Sequence, residues 1–177
     1  IMTCRKLGIE ILPPDINEGE SEFSVSNGCI RYGLSAIKGL GKPVIQAIVE
    51  ERTANGKFTS LKDVVMRLSN KEINKRTMES FIKAGAFDTL PGTRKQKMQV
   101  YVKVIDSVNQ EKKNNLSGQI SLFDMFGDEP EFSNEIEMPD VGEFEKEQLL
   151  AFEKEVLGIY VSGHPMEEYM EKWEKHV

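Results

Sequence analysis

A Gly-x-Gly turn between two stretches of helical periodicity constrains the fold of this chain more than any other feature. Gly39 and Gly41 flank Leu40, and apolar residues recur at helical spacing after the turn, at positions 45, 48 and 49. Pro43 suits the first turn of the second helix, because it has no amide proton and its φ is already near the helical value. The sequence therefore predicts a tight turn that opens directly onto a helix N-terminus.

Such a turn exposes backbone N–H groups that can hold a phosphate, and Lys38 and Lys42 bracket it with positive charge. Two nucleotide-binding motifs are excluded. A dinucleotide fingerprint would need glycine at Val44, and a P-loop ending at Lys42 would need glycine at Ala36 and a hydroxyl residue at Pro43. The local pattern leaves two hypotheses open: a contact with a nucleic-acid backbone, and a corner where the glycines only let two packed helices meet.

Charge is distributed unevenly along the 177 residues, whose net charge is -6. Residues 1–37 carry three basic and five acidic side chains, residues 38–113 carry sixteen and eight, and residues 114–177 carry four and sixteen. The three net charges are therefore -2, +8 and -12. A basic middle region attracts phosphate, whereas the acidic C-terminal region repels it.

Composition narrows the class of protein further. No apolar run approaches the length of a membrane span, and the N-terminus does not resemble a signal peptide. Cys4 and Cys29 are isolated and His164 and His176 have no ligand-spaced neighbours, so we expect neither a disulfide framework nor a zinc site. A cytoplasmic location fits this cysteine usage, and the start at Ile1 predicts a piece of a longer protein.

The predicted fold class is mainly α with a small β element. Residues 1–37 alternate in hydropathy around Asn27-Gly28, a pair typical of a two-residue β-hairpin turn. Residues 38–113 predict four short helices in a bundle-like unit, with these caps and stops: Thr59 or Ser60, Asn70 or Asn74, Gly85, and Thr93. Residues 114–142 are typical of a linker. Residues 143–177 predict a helix over 143–157, a short strand at 159–161 and a last helix from about 166 to 173.

Five segments resemble one family when their order and spacing are taken together. They are IEILPPDIN (9–17), IRYGLSAIKGLG (30–41), NKRTMESFIKAGAFD (74–88), SGQISLFDMF (117–126) and FEKEVLGIYVSGHP (152–165). The chain resembles the alpha-subunit family of bacterial DNA polymerase III. The resemblance implies the end of the fingers region (1–37), a helix–hairpin–helix DNA-binding module (38–113), a flexible acidic linker with a clamp-binding peptide (114–142), and a C-terminal helical segment leading to an OB domain (143–177).

The resemblance also implies which groups this segment binds. The family's catalytic palm has no counterpart here, so no catalytic residue is expected and Mg²⁺ belongs to the active site of the parent polymerase. A monovalent cation at the hairpin is implied. The implied partners are double-stranded DNA, the bacterial sliding clamp and, through the parent protein, other replisome subunits, with no membrane.

Two residue sets carry these implied contacts. Backbone amides of the hairpin would hold a DNA phosphate, and a second, degenerate unit over residues 61–85 would add basic side chains, although a solvated helix face explains those equally well. The candidate DNA-binding residues are Lys38, Gly39, Leu40, Gly41, Lys42, Lys71, Lys75 and Arg76.

The linker contains one apolar cluster, and an exposed Leu-Phe pair in a polar segment needs a pocket to receive it. The cluster is similar to the peptide by which bacterial proteins dock on the clamp, which makes Gln119, Ile120, Ser121, Leu122 and Phe123 the candidate clamp-binding residues. The alternative is that Met125 and Phe126 tether the linker to its own domain.

Two rival functions would use other parts of the same sequence pattern. A helix–hairpin–helix scaffold of a repair or recombination protein would use the same turn, but the pattern over residues 152–165 belongs to the polymerase. An independent enzyme could use Ser162 and His164, but no acidic partner or oxyanion arrangement accompanies them.

Overall fold

The computed structural model describes residues 3–4, 7–68, 73–116 and 136–166. Within these ranges the chain is mainly helical with one three-stranded sheet, which confirms the predicted fold class. The strands are β1 (Ile11–Leu12), β2 (Ser24–Ser26) and β3 (Cys29–Arg31), and the helices are α1 (Lys42–Asn55), α2 (Leu61–Leu68), α3 (Lys75–Ala84), α4 (Arg94–Leu116) and α5 (Lys146–Leu157). A 3-10 turn spans Leu34–Ala36.

The sheet has the order β1-β3-β2, with β1 parallel and β2 antiparallel to β3. Between β2 and β3, Asn27 and Gly28 have φ values of 49° and 78°. A type I′ turn needs positive φ at both of its central residues, so the predicted hairpin is confirmed. The parallel pairing of β1 with β3 adds a strand that the hairpin pattern does not predict.

Side-chain caps begin two of the helices at predicted positions. The Ser60 hydroxyl accepts the N–H of Asp63 at 3.1 Å before α2, and Asn74 Oδ1 accepts the N–H of Thr77 at 2.9 Å before α3. Each cap satisfies a donor that would otherwise lack an intrahelical partner. Gly85, with φ 78°, ends α3 in the left-handed conformation, as predicted.

The start of α4 is capped twice. Thr93 and Gln96 form a capping box, with the Gln96 N–H donating to Thr93 Oγ1 at 3.2 Å and the Thr93 N–H donating to Gln96 Oε1 at 2.8 Å. In addition, the Glu143 carboxylate accepts the N–H groups of Arg94 and Lys95 at 2.9 and 3.0 Å. A residue almost fifty positions downstream thus completes the cap of this helix.

Two predictions about the C-terminal region are wrong. The helix starts at Lys146 rather than at 143, where Glu143 is engaged with α4. No strand forms over residues 159–161 of the described chain, because the N–H groups of Val161 and Ser162 donate to Glu153 Oε2 at 2.8 and 3.0 Å. A side chain therefore takes the donors that a neighbouring strand would need. The helix predicted from 166 to 173 lies almost wholly outside the described residues.

One hydrophobic core joins these elements. Helix α4 packs against α2 and α3, and α5 packs against α3. The C-terminal segment contributes Val156, Leu157 and Val161 to the same core as the turn residues Leu34 and Ile37. The segment that leads into the glycine turn and the C-terminal helix α5 are consequently held against each other. None of the helices in the described ranges is long and apolar enough to cross a membrane.

We predict that Glu143→Gln weakens the fold at neutral pH but not in acid. Burial raises the pKa of Glu143, but the N–H groups of Phe144, Arg94 and Lys95 outweigh it and hold the pKa below 4.5. A lowered carboxyl pKa stabilises the folded state above pH 4.5, and that stability is lost as the pH falls through the folded-state pKa. The variant should lose about 0.5 kcal/mol at pH 7.

Thermal unfolding from pH 7 to pH 3 measures this difference. The curves of the variant and the parent chain should converge at the acid end. Glu137→Gln removes the same charge from an exposed position and should leave the neutral-pH stability unchanged. Equal losses in both variants would contradict the capping role of Glu143.

Candidate nucleic-acid interface

The structure contains the predicted turn at residues 39–41, and one of its glycines has a backbone conformation that favours glycine. Gly39 has φ 86°, in the left-handed region that favours glycine. Gly41, with φ -82° and ψ 149°, is the N-cap of α1, and Pro43 lies in the first turn of that helix. Leu40 is half-buried and packs against the core. The turn is therefore anchored by Leu40 and leaves both glycines at the surface.

The N–H groups of the turn divide into engaged and free donors. The Lys38 N–H donates to the Val156 carbonyl at 2.8 Å, and the Leu40 N–H points at the Ile37 carbonyl at 3.4 Å. Among the described residues, the N–H groups of Gly39, Gly41 and Lys42 have no acceptor. Because α1 begins without a side-chain cap, these donors remain available to an anion at the helix N-terminus.

The resemblance implies a monovalent cation at the hairpin, and the carbonyl groups of the turn are the atoms that would hold it. Ile37 and Gly41 carbonyls accept backbone N–H groups, but those of Lys38, Gly39 and Leu40 accept none within the described ranges. Carbonyl oxygens are suitable ligands for hard cations. No group of three or more His, Cys, Asp or Glu side chains suited to a metal ion occurs in the described part of the chain.

A cavity of about 370 Å³ lies beside the turn and brings two predicted segments together. Lys38 and Gly39 line it from the turn, and Arg76 and Ser80 line it from α3. Its remaining lining residues are Glu79, Lys83, Glu155 and Val156. The cavity therefore joins the hairpin, the second unit and the end of α5.

Two carboxylates compensate the charge of Lys83 inside this cavity. Its Nζ lies 2.8 Å from Glu79 Oε1 and 2.8 Å from Glu155 Oε1. Burial lowers the pKa of Lys83, but the two carboxylates outweigh it and raise the pKa, which keeps the ammonium charged. With Lys83 paired in this way, Lys38 and Arg76 are the cavity's cations without an ion pair among the described residues.

Lys42 lies in a different environment from Lys38. It lines a second cavity, of about 350 Å³, together with Glu20, Glu22 and Glu50. Acidic residues outnumber the lysine among the residues that line this surface, although the Glu20 carboxylate also pairs with Arg52 at 2.9 Å, so the surface is unfavourable for a phosphate. The two lysines that bracket the turn in sequence thus face surfaces of opposite charge.

The other candidate residues are not part of the cavity. Lys75 is exposed and pairs with Asp106, with Nζ 3.3 Å from Oδ1. Lys71 and the peptide over residues 119–123 lie outside the described residues. The rival Ser162–His164 pair is not formed: His164 Nδ1 accepts the Met166 N–H at 3.1 Å and its ring packs against Tyr160.

Sequence inspection missed Ser80 and Glu155 as neighbours of the turn. Ser80 follows Arg76 by four residues, a spacing that places both on one face of a helix, and this signal could have found it. Glu155 is 116 positions from Gly39 and carries no such signal. Only the packing of α5 on α3 brings it to the site.

Two kinds of comparison with known proteins, with a family profile and with curated sequences, give matches. The profile of a family described as "Helix-hairpin-helix motif" matches residues 8–97, about half of the chain. The DNA polymerase III subunit alpha of Borreliella burgdorferi is 41% identical over 169 residues, 96% of this chain and 15% of that protein. The corresponding subunit of Mycobacterium leprae is 41% identical, with 92% and 14% covered. That of Escherichia coli K12 is 37% identical, with 98% and 15% covered. The chain thus spans about 15% of the length of the curated relatives it matches.

We predict that the two glycines of the turn differ in their tolerance of alanine. Gly39→Ala should destabilise the fold by about 1 kcal/mol or more, because a Cβ is strained at φ 86°. Gly41→Ala should cost less than about 0.5 kcal/mol, because its φ is ordinary and a Cβ there meets only Pro43 Cδ at 3.5 Å. Urea unfolding measures both values. A larger loss at Gly41 would contradict this backbone assignment.

Proposed function

The chain belongs to the helix–hairpin–helix motif family, and on that premise we propose that it is a non-catalytic part of a replicative DNA polymerase III alpha subunit that grips duplex DNA by its backbone. The names of the relatives support this assignment. Since the chain spans only about 15% of their length, nucleotide polymerisation and its Mg²⁺ belong to the parent protein. Contacts with other replisome subunits would be made by other parts of that parent protein, in the cytoplasm.

The free donors of the turn carry the proposal. The N–H groups of Gly39, Gly41 and Lys42 are unengaged within the described ranges, at the N-terminus of α1. A DNA phosphate oxygen accepts from such donors, and the helix dipole favours its negative charge. These groups read no base edge, so the grip is independent of DNA sequence. Its affinity therefore depends strongly on salt.

The extent of the sequence match favours the polymerase over a repair or recombination scaffold. A scaffold that shared only the motif would match over residues 8–97. Identity to the polymerase subunits instead extends over 92–98% of the chain, through the linker and the C-terminal helix.

We propose a second contact, with the sliding clamp, through Gln119-Ile120-Ser121-Leu122-Phe123. The support lies in the sequence: an aliphatic–aromatic pair is set in an acidic, polar segment. Leu122 and Phe123 would enter an apolar pocket of the clamp, and Gln119 would orient the peptide by hydrogen bonds. The acidic flank keeps this peptide away from DNA, so the two contacts do not compete.

Reversing the charge beside the turn should weaken duplex binding and flatten its salt dependence. In Lys38→Glu/Lys42→Glu, the slope of log K against log salt should fall by about 0.9, because Lys38 would neutralise one phosphate whereas Lys42 lies on a surface lined by glutamates. Fluorescence anisotropy with a labelled duplex at several salt concentrations measures the slope. Lys103→Glu/Lys113→Glu changes the net charge equally from exposed positions on α4. If the slope changes equally in both double variants, the turn has no specific role.

The clamp contact should depend on two side chains. We expect a dissociation constant of about 1–10 µM for a bacterial sliding clamp, roughly -7 to -8 kcal/mol, and loss of measurable binding in Leu122→Ala/Phe123→Ala. Titration calorimetry measures both. Met125→Ala/Phe126→Ala truncates the neighbouring apolar pair and should bind as the parent chain does. Undiminished binding by the first variant would rule out this peptide as the docking site.

A further inference from the structure

One face of the three-stranded sheet carries apolar side chains that the described residues leave partly uncovered. Ile11 lies opposite Ile30, and Ile30 lies opposite Val25, so these three side chains share one face. Phe23 shares it because it lies two residues before Val25, and its ring contacts that of Tyr32, with 4.5 Å between the centroids. Val25 is 78% exposed and Phe23 is 54% exposed. These five residues form the apolar sheet face, and exposed apolar side chains that adjoin one another indicate a docking surface.

A cavity of about 330 Å³ adjoins the apolar sheet face at β1, an edge strand of the sheet. Ile11 belongs both to the face and to the cavity lining. Val161 and Ser162, which follow α5, line the same cavity. The described chain ends four residues later at Met166, which is 52% exposed. The C-terminal end of the described chain therefore lies close to the apolar sheet face.

The sequence that follows contains an apolar stripe. Residues 167–177 lie outside the described ranges, and the sequence places apolar residues at positions 166, 169, 170, 173 and 177. This spacing is typical of one face of a helix. The residues of the stripe are Met166, Tyr169, Met170, Trp173 and Val177. The positions between them hold only charged residues and one histidine. A helix with such a stripe needs an apolar surface to cover it.

The segment 166–177 can reach the apolar sheet face of its own chain. Four residues lead from Ser162, in the cavity lining, to Met166, and they span at most about 14 Å. A helix over this segment would be about 18 Å long, whereas three strands spaced about 4.8 Å apart are about 10 Å across. Because the segment is covalently attached, its effective concentration at the face is about millimolar. Attachment therefore favours this segment over a second copy of the chain.

We propose that the segment 166–177 docks through its apolar stripe on the apolar sheet face and the adjoining cavity. The contact ties the C-terminal end of this chain to its N-terminal strands. It uses neither the glycine turn nor residues 119–123, so it goes beyond the proposed function and does not depend on it.

Trp173 reports on this contact, because it is the only tryptophan in the 177 residues. In the parent chain its emission should be blue-shifted and protected from quenching by acrylamide. Val25→Glu places a carboxylate on the apolar sheet face, and Met170→Glu places one in the stripe. Each variant should shift the emission to the red and raise the quenching constant severalfold, because an unpaired carboxylate is costly to bury. Since Val25 is 78% exposed, Val25→Glu should remain folded, which circular dichroism checks.

Met66→Glu is the matched control. It replaces an exposed apolar residue on α2 by the same carboxylate and should leave the fluorescence of Trp173 as it is in the parent chain. Equal quenching of the parent chain and Val25→Glu would overturn the proposal, whether Trp173 is exposed in both or protected elsewhere in both. A red shift on dilution of the parent chain would assign the contact to a second copy and would also overturn it. Duplex and clamp binding enter none of these outcomes.

Discussion

A buried ion pair between Arg94 and Glu153 holds the C-terminal segment onto the helical unit. Arg94 is 7% exposed and Glu153 is fully buried, and their nearest atoms lie 3.4 Å apart. Burial lowers the pKa of Arg94, but Asp88 and Glu153 outweigh it and raise the pKa, so the guanidinium stays charged. The second oxygen of Glu153 accepts the N–H groups of Val161 and Ser162. A buried charge is tolerable only when it is paired and hydrogen-bonded in this way.

The position of the glycine turn follows from that pair. Because Glu153 fixes α5, the carbonyl of Val156 reaches the Lys38 N–H at 2.8 Å. Glu155, two residues after Glu153, engages Lys83 at the edge of the same cavity. The C-terminal helix thus orients the backbone of the turn and removes one cation from the site, although it belongs to the most acidic part of the chain.

Sequence reasoning succeeded where the determinant is local and failed where it is distant. The Asn27-Gly28 hairpin, the caps of α2 and α3 and the stop at Gly85 each depend on conformations within three or four residues. The acidic residues of the C-terminal region were predicted only to repel phosphate, yet Glu143 caps α4 and Glu153 is fully buried. Their roles depend on tertiary partners far away in sequence, which neither periodicity nor spacing encodes. In the candidate site, the turn itself was predictable, whereas the position of Glu155 required the packed structure.

Regional net charge is a poor guide to where a phosphate can bind on this surface. Residues 38–113 carry a net +8, but Lys75 and Lys83 are paired with carboxylates, and Lys42 lies on a surface that three glutamates also line. A phosphate responds to the charges within about a Debye length, roughly 8–10 Å, and most strongly to unpaired ones. By that criterion the side of the turn that faces α3 is favoured over the side that faces Glu20, Glu22 and Glu50. The glycine turn supplies the donors, and the distribution of paired and unpaired side chains around it selects the face at which an anion can use them.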